Sequence, residues 1–200
     1  MKNLMTTTEK PSTSTDFITK LDFKFDVAAL REDMDDFTFM LDDYSRNECT
    51  VYNQMGLKHR KGAENVHIDS MGSLYDREKK EVISKESDFS EYNPNIGMYT
   101  KSVIEKIEEE QKIRIGRARY MTLLPKTGLS VHFDIEERLH LVLKTNKTAF
   151  IANYTGDEGC EAICTHLPAD GYVYKVDTTR NHFVYNGGWE DRIHLVLCIT

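Results

Sequence analysis

The 200-residue chain carries 33 acidic against 26 basic residues, a net charge of -7. That balance argues against a nucleic-acid or acidic-membrane binder, which needs a basic face, and the length suits one domain with its own core. No run approaches the roughly 18 apolar residues of a membrane span, and the N-terminus lacks the apolar segment of a secretory signal. The four cysteines (Cys49, Cys160, Cys164, Cys198) are too sparse for a disulfide framework, so a reduced, cytoplasmic protein is expected.

Residues 1–16, rich in Thr, Ser, Lys and Pro, predict a flexible tail. Within "DVAALREDMDDFTFMLDDYSR", Val27, Leu30, Met34, Phe37, Met40 and Leu41 recur at three- and four-residue steps, which predicts one helix with an apolar stripe. From Asn47 to Asn95 the chain is polar and aperiodic, and long loops are expected with short strands near "VHIDS" and "KEVIS". His59 and His67 fall there and are expected to be solvated loop residues. A helix follows in "MYTKSVIEKIEEEQKI", Ile104 and Ile107 on one side and Glu108-Glu109-Glu110 at its solvated end. Residues 17–113 are thus expected to form a helical and loop-rich part packing on a β core at 114–200.

After Gly116 the runs "RARYMTLLP", "LSVHFD", "RLHLVLKT", "TAFIANY", "CEAICTH", "GYVYKVD", "NHFVYN" and "DRIHLVLCIT" are short and rich in β-branched and aromatic residues. Turn signals divide them, including Pro125, Asn146, Gly156, Pro168, Asp170-Gly171 and Asn186-Gly187-Gly188. The fold class is mainly β with flanking helices, an all-β sandwich or barrel at its core.

Residues i and i+2 of a strand share a face, so His132 and Asp134 should project side by side with Phe133 packed behind. Alone, His-x-Asp is common on a polar strand face. A second histidine, His182, opens "HFVYN" on the opposite face from Phe183 and Tyr185. Two ligands from one strand and one from another give the 2-His-1-carboxylate arrangement that suits Fe(II) and leaves positions open for O2 and a bidentate acid. Arg192 follows after a Gly-containing turn; a strand running antiparallel to that of His182 would bring it back along the same inner wall, where it could clamp a carboxylate through paired charge-assisted hydrogen bonds. The alternative for Arg192 is a salt bridge with Glu190 or Asp191.

Arg192 also opens "RIHLVL" (192–197), which nearly repeats "RLHLVL" (138–143). In both, Arg, His and Val alternate with Leu or Ile, so two strands are expected to face one pocket from different sides. Cys160, Cys164 and His166 lack a fourth ligand for structural zinc and are expected to belong to an ordinary strand between loops. Trp189 is a candidate cap for the barrel mouth or a rim residue. Tyr92, Tyr99 and Arg60 are candidate pocket-lining residues.

Together "RARYMTLLPKTGLSVHFD", the two hexapeptides, "NHFVYNGG" and the Arg192 that follows resemble the aspartyl/asparaginyl β-hydroxylase family of Fe(II)/2-oxoglutarate-dependent dioxygenases, which includes bacterial free-proline hydroxylases. The resemblance covers residues 114–198. It implies a double-stranded β-helix (jelly-roll, cupin-like) core. It further implies iron ligation by His132, Asp134 and His182, and an ion pair from Arg192 to the distal carboxylate of 2-oxoglutarate. Arg138 and His140 would contact that cosubstrate or line its pocket.

The activity implied is hydroxylation of an amino acid of Asp, Asn or Pro type, free or peptide-borne, with Fe(II), 2-oxoglutarate and O2 and with release of succinate and CO2. The partner is then a small molecule or peptide, with no nucleic acid and no membrane. Two departures stand out. The animal enzymes carry glycine where Asp134 stands, so the chain looks more like the small-molecule or microbial branch. They carry a hydroxyl residue where Met121 stands, a contact for which Tyr120 or Thr122 could substitute. The alternatives are a non-catalytic metal and 2-oxoglutarate sensor on the same fold, or a zinc hydrolase, against which an Arg192 clamp would speak. The residues assign no role to His194.

Overall fold

Every β-type run after residue 114 forms a strand. The computed structural model describes residues 17–76, 78–155 and 161–200; the expected tail at 1–16, and Cys160, lie outside them. In chain order come β1 (Ile18–Lys24), α1 (Val27–Met40), α2 (Asp43–Tyr52), β2 (Gln54–Gly56), β3 (Lys58–His59), β4 (Tyr75–Asp76), β5 (Glu81–Val82), a 3-10 turn (Glu86–Asp88), β6 (Glu91–Tyr92) and α3 (Met98–Gln111). The core strands follow: β7 (Ile115–Leu123), β8 (Thr127–His132), β9 (Arg138–Lys144), β10 (Ala149–Tyr154), β11 (Ala162–Thr165), β12 (Tyr172–Val176), β13 (His182–Asn186) and β14 (Arg192–Ile199).

These strands make two antiparallel sheets, ordered β1-β12-β9-β14-β7-β2 and β11-β10-β13-β8. Chain order passes back and forth between the sheets, which is the winding of a double-stranded β-helix. Strand alternation divides the core in two. Leu139, Leu141, Leu143, Leu195 and Leu197 form one cluster with Leu30 and Phe37 of α1 and Val103, Ile104 and Ile107 of α3. Val142, Tyr174 and Val176 of the larger sheet meet Ile151 and Val184 of the smaller one in a second cluster, between the sheets. The polar partners of that alternation, among them Arg138, His140, Arg192 and His194, therefore line the interior.

The single helix expected across residues 26–46 is two. Asp26 caps α1 by accepting from the backbone N–H of Ala28 and Ala29, at 2.8 and 3.3 Å. The backbone turns extended at Leu41, and Asp42 then caps α2 by accepting from Ser45 N–H at 2.7 Å. A second capping aspartate explains the break, since its carboxylate satisfies an N–H that a continuous helix would have bonded to a carbonyl. Leu30, Phe37 and Leu41 of the expected stripe are buried, but Met40, at the end of α1, is 56% exposed and falls outside it, as does Phe39 at 85%. Phe37→Ala should cost about 3–5 kcal/mol and Phe39→Ala within about 0.5 kcal/mol. Urea denaturation of both variants checks this, and equal effects would contradict the helix orientation.

Two further expectations change. "VHIDS" is a turn, not a strand. Asn65 Oδ1 accepts from His67 N–H at 2.9 Å, and the Asn93 amide donates to Val66 O at 3.1 Å, so side chains take over the backbone groups that a strand would need. "KEVIS" supplies only the two-residue β5, paired with β4. Residues 18–24, outside the expected elements, form β1 at the edge of the larger sheet, where Leu21 and Phe23 alternate with exposed Lys20, Asp22 and Lys24 as a half-buried strand requires. No helix among the described residues is long and apolar enough to cross a membrane.

Candidate metal centre and pocket

His132 ends β8 and His182 begins β13, and the two pair directly across the smaller sheet. Their rings lie 4.3 Å apart between centroids. Asp134 lies just beyond the strand, tied there by its N–H donating to Thr178 O at 2.8 Å. Ligand atoms of the three side chains all fall within 4.8 Å of one another, the one such cluster of His, Cys, Asp and Glu among the described residues. Phe133 does not pack behind them; it is 67% exposed, as is Val131 at 48%, two residues before it on β8, the edge strand of the smaller sheet.

The hydrogen bonds fix what these groups offer. His132 Nδ1 lies 2.7 Å from Ser130 O, and His182 Nδ1 lies 2.9 Å from Arg180 O. A carbonyl can only accept, so each Nδ1 carries a proton, and in the neutral ring Nε2 keeps the lone pair that a metal needs. Burial lowers the His182 pKa and keeps its ring neutral. Asp134 Oδ1 accepts from Arg138 Nη2 at 2.7 Å, whereas its Oδ2 is buried with no hydrogen-bond partner, 3.8 Å from His182 Nε2. An orphaned carboxylate oxygen beside an unprotonated imidazole nitrogen is costly without a cation between them. The donor set fits a first-row divalent metal.

This cluster borders a cavity of about 280 Å³ lined also by Arg138, His140, Arg192 and apolar Leu123, Ile151, Val184 and Val196. Arg192 reaches it from the other wall. The turn after His182 is no hairpin, since β13 lies in the smaller sheet and β14 in the larger. The expected return along the same wall is therefore replaced by a crossing between sheets. Arg192 is buried, and burial pushes its pKa down to about 10, so it stays charged at neutral pH. Neither acidic neighbour takes it, and Glu190 pairs with Lys144 at 3.2 Å instead. Arg192 makes no ion pair or hydrogen bond among the described residues.

Arg138 sits beside the cluster and reaches Glu86 at 3.9 Å, while Arg117 grips Glu86 with two bonds of 2.7 and 2.8 Å. A buried network thus runs from the 3-10 turn to Asp134. The two hexapeptides are not on facing walls. β9 and β14 are antiparallel neighbours, with His140 opposite Val196 and Val142 opposite His194. Arg138 and Arg192 therefore stand toward opposite ends of the wall, and the histidines meet between them, Nδ1 to Nδ1 at 3.3 Å. Burial drives both pKa values well below the usual range, so both are neutral. One ring must then donate and the other accept.

The remaining candidates separate from the pocket. Tyr120 turns to the helical side and pairs its hydroxyl with Thr100 Oγ1 at 2.7 Å, while Thr122 and Met121 line the cavity. Among the named lining candidates, Tyr92 stacks under Lys58, the Tyr99 hydroxyl accepts from Asp26 N–H and Arg60 pairs with Asp69, and none borders the cavity. Its N-terminal lining comes from Tyr52, Asn53 and Gln54, polar residues at a helix end with no periodic signal. Trp189 is 84% exposed, with Lys126 over its ring at 4.2 Å. His59 is buried in β3 and the His67 ring bonds the Asn93 amide at 3.0 Å, so neither is a solvated loop residue. Glu108 accepts from Ile115 N–H at 2.7 Å rather than standing in solvent. Cys164 is exposed, and His166 faces Ala149 O at 2.9 Å.

Among solved structures, a 2OG-Fe(II) oxygenase family protein from Burkholderia pseudomallei aligns at 18% identity and TM-score 0.37, covering 44% of each chain. A Pseudomonas putida prolyl-4-hydroxylase aligns at 12% identity and TM-score 0.42, covering 54% of this chain and 67% of that one. A cupin domain from Bordetella pertussis aligns at 15% identity and TM-score 0.34, covering 42% and 80%. The chain thus spans less than half of the Burkholderia protein. No curated protein matches. The family profile described as aspartyl/asparaginyl β-hydroxylase matches residues 46–200, well beyond the β core in which the sequence resemblance lies. The match takes in more than half of the chain, and with it the His132, Asp134 and His182 cluster: the chain belongs to the aspartyl/asparaginyl β-hydroxylase family.

Proposed function

We propose that this protein is an Fe(II)- and 2-oxoglutarate-dependent dioxygenase that hydroxylates an amino acid, free or within a peptide, and releases succinate and CO2. One observation carries the reading: two imidazole nitrogens and an orphaned carboxylate oxygen converge beside a cavity whose other wall holds a buried arginine with no ion pair among the described residues. A zinc hydrolase needs the first feature and not the second.

His132, Asp134 and His182 would hold the iron. With 2-oxoglutarate and O2 bound there, the metal would supply an oxidant strong enough to take hydrogen from an unactivated carbon. Arg138 holds Asp134 Oδ1 and so presents Oδ2 to the metal position. The Ser130 and Arg180 carbonyls keep each Nε2 free of its proton. Arg192 binds the distal carboxylate of 2-oxoglutarate through its guanidinium fork. Leu123, Ile151, Val184 and Val196 exclude water from the space between, which strengthens that ion pair and limits side reactions. His140 borders the same space and contributes to the cosubstrate wall.

The test is O2-dependent release of succinate from 2-oxoglutarate, with amino acids and cell peptides screened by mass spectrometry for the gain of one oxygen atom. Succinate formation that follows a hydroxylated product supports the proposal. Tight binding of iron and 2-oxoglutarate without turnover across the panel would instead identify a sensor.

A further inference from the structure

Among the described residues, Arg119 is the one interior arginine with neither a carboxylate partner nor an opening to the cavity. It is buried, it forms no ion pair among the described residues, and its Nε has no hydrogen-bond partner. Burial, and then the neighbouring Arg117, push its pKa down to about 10, so it remains charged at neutral pH. Its Nη1 donates to Gln54 Oε1 at 2.9 Å, and Gly72 N–H donates to the same oxygen at 3.3 Å. Two groups that can only donate fix the identity of that amide atom as oxygen.

The consequence lies at the other end of the amide. Gln54 pairs with Met121 in the β2–β7 register and lines the cavity. With Oε1 committed, its Nε2 and two N–H donors are left for whatever occupies the pocket. Arg119 withdraws electron density through Oε1 and makes those donors stronger. We propose that Gln54 is a carboxylate-recognition residue of the pocket, a fixed amide donor oriented and polarised from behind by Arg119. The carboxylate belongs either to 2-oxoglutarate or to the amino-acid substrate. This inference rests on the oxygenase reading of the site.

Gln54→Glu tests it, because the variant keeps an oxygen for Arg119 and Gly72 and the protein folded, while it replaces the two donors with a second acceptor and a negative charge. Wild type and variant, both loaded with Mn(II), are titrated calorimetrically with 2-oxoglutarate. Both are then scanned for melting-temperature shifts with single amino acids at saturating 2-oxoglutarate. A fall of about tenfold or more in 2-oxoglutarate affinity assigns Gln54 to the cosubstrate. Unchanged 2-oxoglutarate affinity with loss of an amino-acid shift seen in wild type assigns it to the substrate. If neither arm differs between the two proteins, Gln54 recognises no carboxylate and the inference is overturned. A wild-type protein that binds no 2-oxoglutarate at all sinks the oxygenase reading itself, and this inference with it.

Discussion

Asp134→Asn is expected to lower Fe(II) affinity by at least about 100-fold while the chain stays folded. Loss of a partner that merely orients a ligand costs roughly 10–100-fold, and in the proposed site Asp134 would be the ligand itself. Asparagine keeps a carbonyl oxygen for Arg138, so the bond from Nη2 to position 134 can persist. What changes is Oδ2. In the variant, an N–H₂ group faces His182 Nε2 where the carboxylate offered a bare oxygen. A donor now competes for the lone pair, and no anionic oxygen remains for a cation. The stability cost arises separately, from exchanging the charge-assisted bond to Arg138 for a neutral one, and should stay at about 1 kcal/mol. Anaerobic Fe(II) titration and urea denaturation read the two effects independently. Iron affinity unchanged in a folded variant would remove Asp134 from the metal site.

Arg192→Met should have effects of opposite sign on stability and on cosubstrate binding. The guanidinium is buried with no ion pair or hydrogen bond among the described residues, so the ligand-free fold bears its desolvation cost without an ion pair in return. An apolar side chain of similar length removes that cost. The unfolding midpoint of the ligand-free variant should therefore equal or exceed that of wild type, by up to about 1–4 kcal/mol. The apparent 2-oxoglutarate requirement should rise at least 100-fold, from loss of two charge-assisted bonds at about 1.5–3 kcal/mol each. Excess 2-oxoglutarate should also raise the melting temperature of wild type, by mass action, and not that of the variant. A destabilised variant with unchanged 2-oxoglutarate affinity would make Arg192 a structural residue.

The parts of this molecule that could be read from its sequence are those set by local rules. Alternation of aliphatic and polar residues in "RLHLVL" and "RIHLVL" depends only on strand geometry, and it placed Arg138, His140, Arg192 and His194 inside. His132 and Asp134 could be paired because two residues on one strand share a face, even though Asp134 proves to lie just past the strand end. Which strands are neighbours is a different matter, since pairing partners are chosen by the whole chain. Two similar hexapeptides are equally compatible with facing walls and with adjacent strands, and only the sheet order brings the His140 and His194 rings into contact.

The pocket's N-terminal wall was hidden for a related reason. β2 is three residues long, and its extended form comes from pairing with β7 rather than from its own composition. Gly56 within it packs so closely that an added Cβ would meet Ser70 Oγ at 2.3 Å, a contact no local pattern reveals. Gln54 was accordingly invisible as a site residue. The opposite error came from "VHIDS", whose β-branched residues suggest a strand while Asn65 and Asn93 bind its backbone into a turn.

His132, Asp134 and His182 are expected to hold an iron to which 2-oxoglutarate binds within reach of Arg192. Anaerobic addition of Fe(II) and 2-oxoglutarate, followed by visible absorption, tests it most directly. The predicted result is a weak charge-transfer band that saturates at equimolar iron and is absent from Asp134→Asn. Absence of the band from the wild-type protein at any concentration of metal and cosubstrate would contradict it.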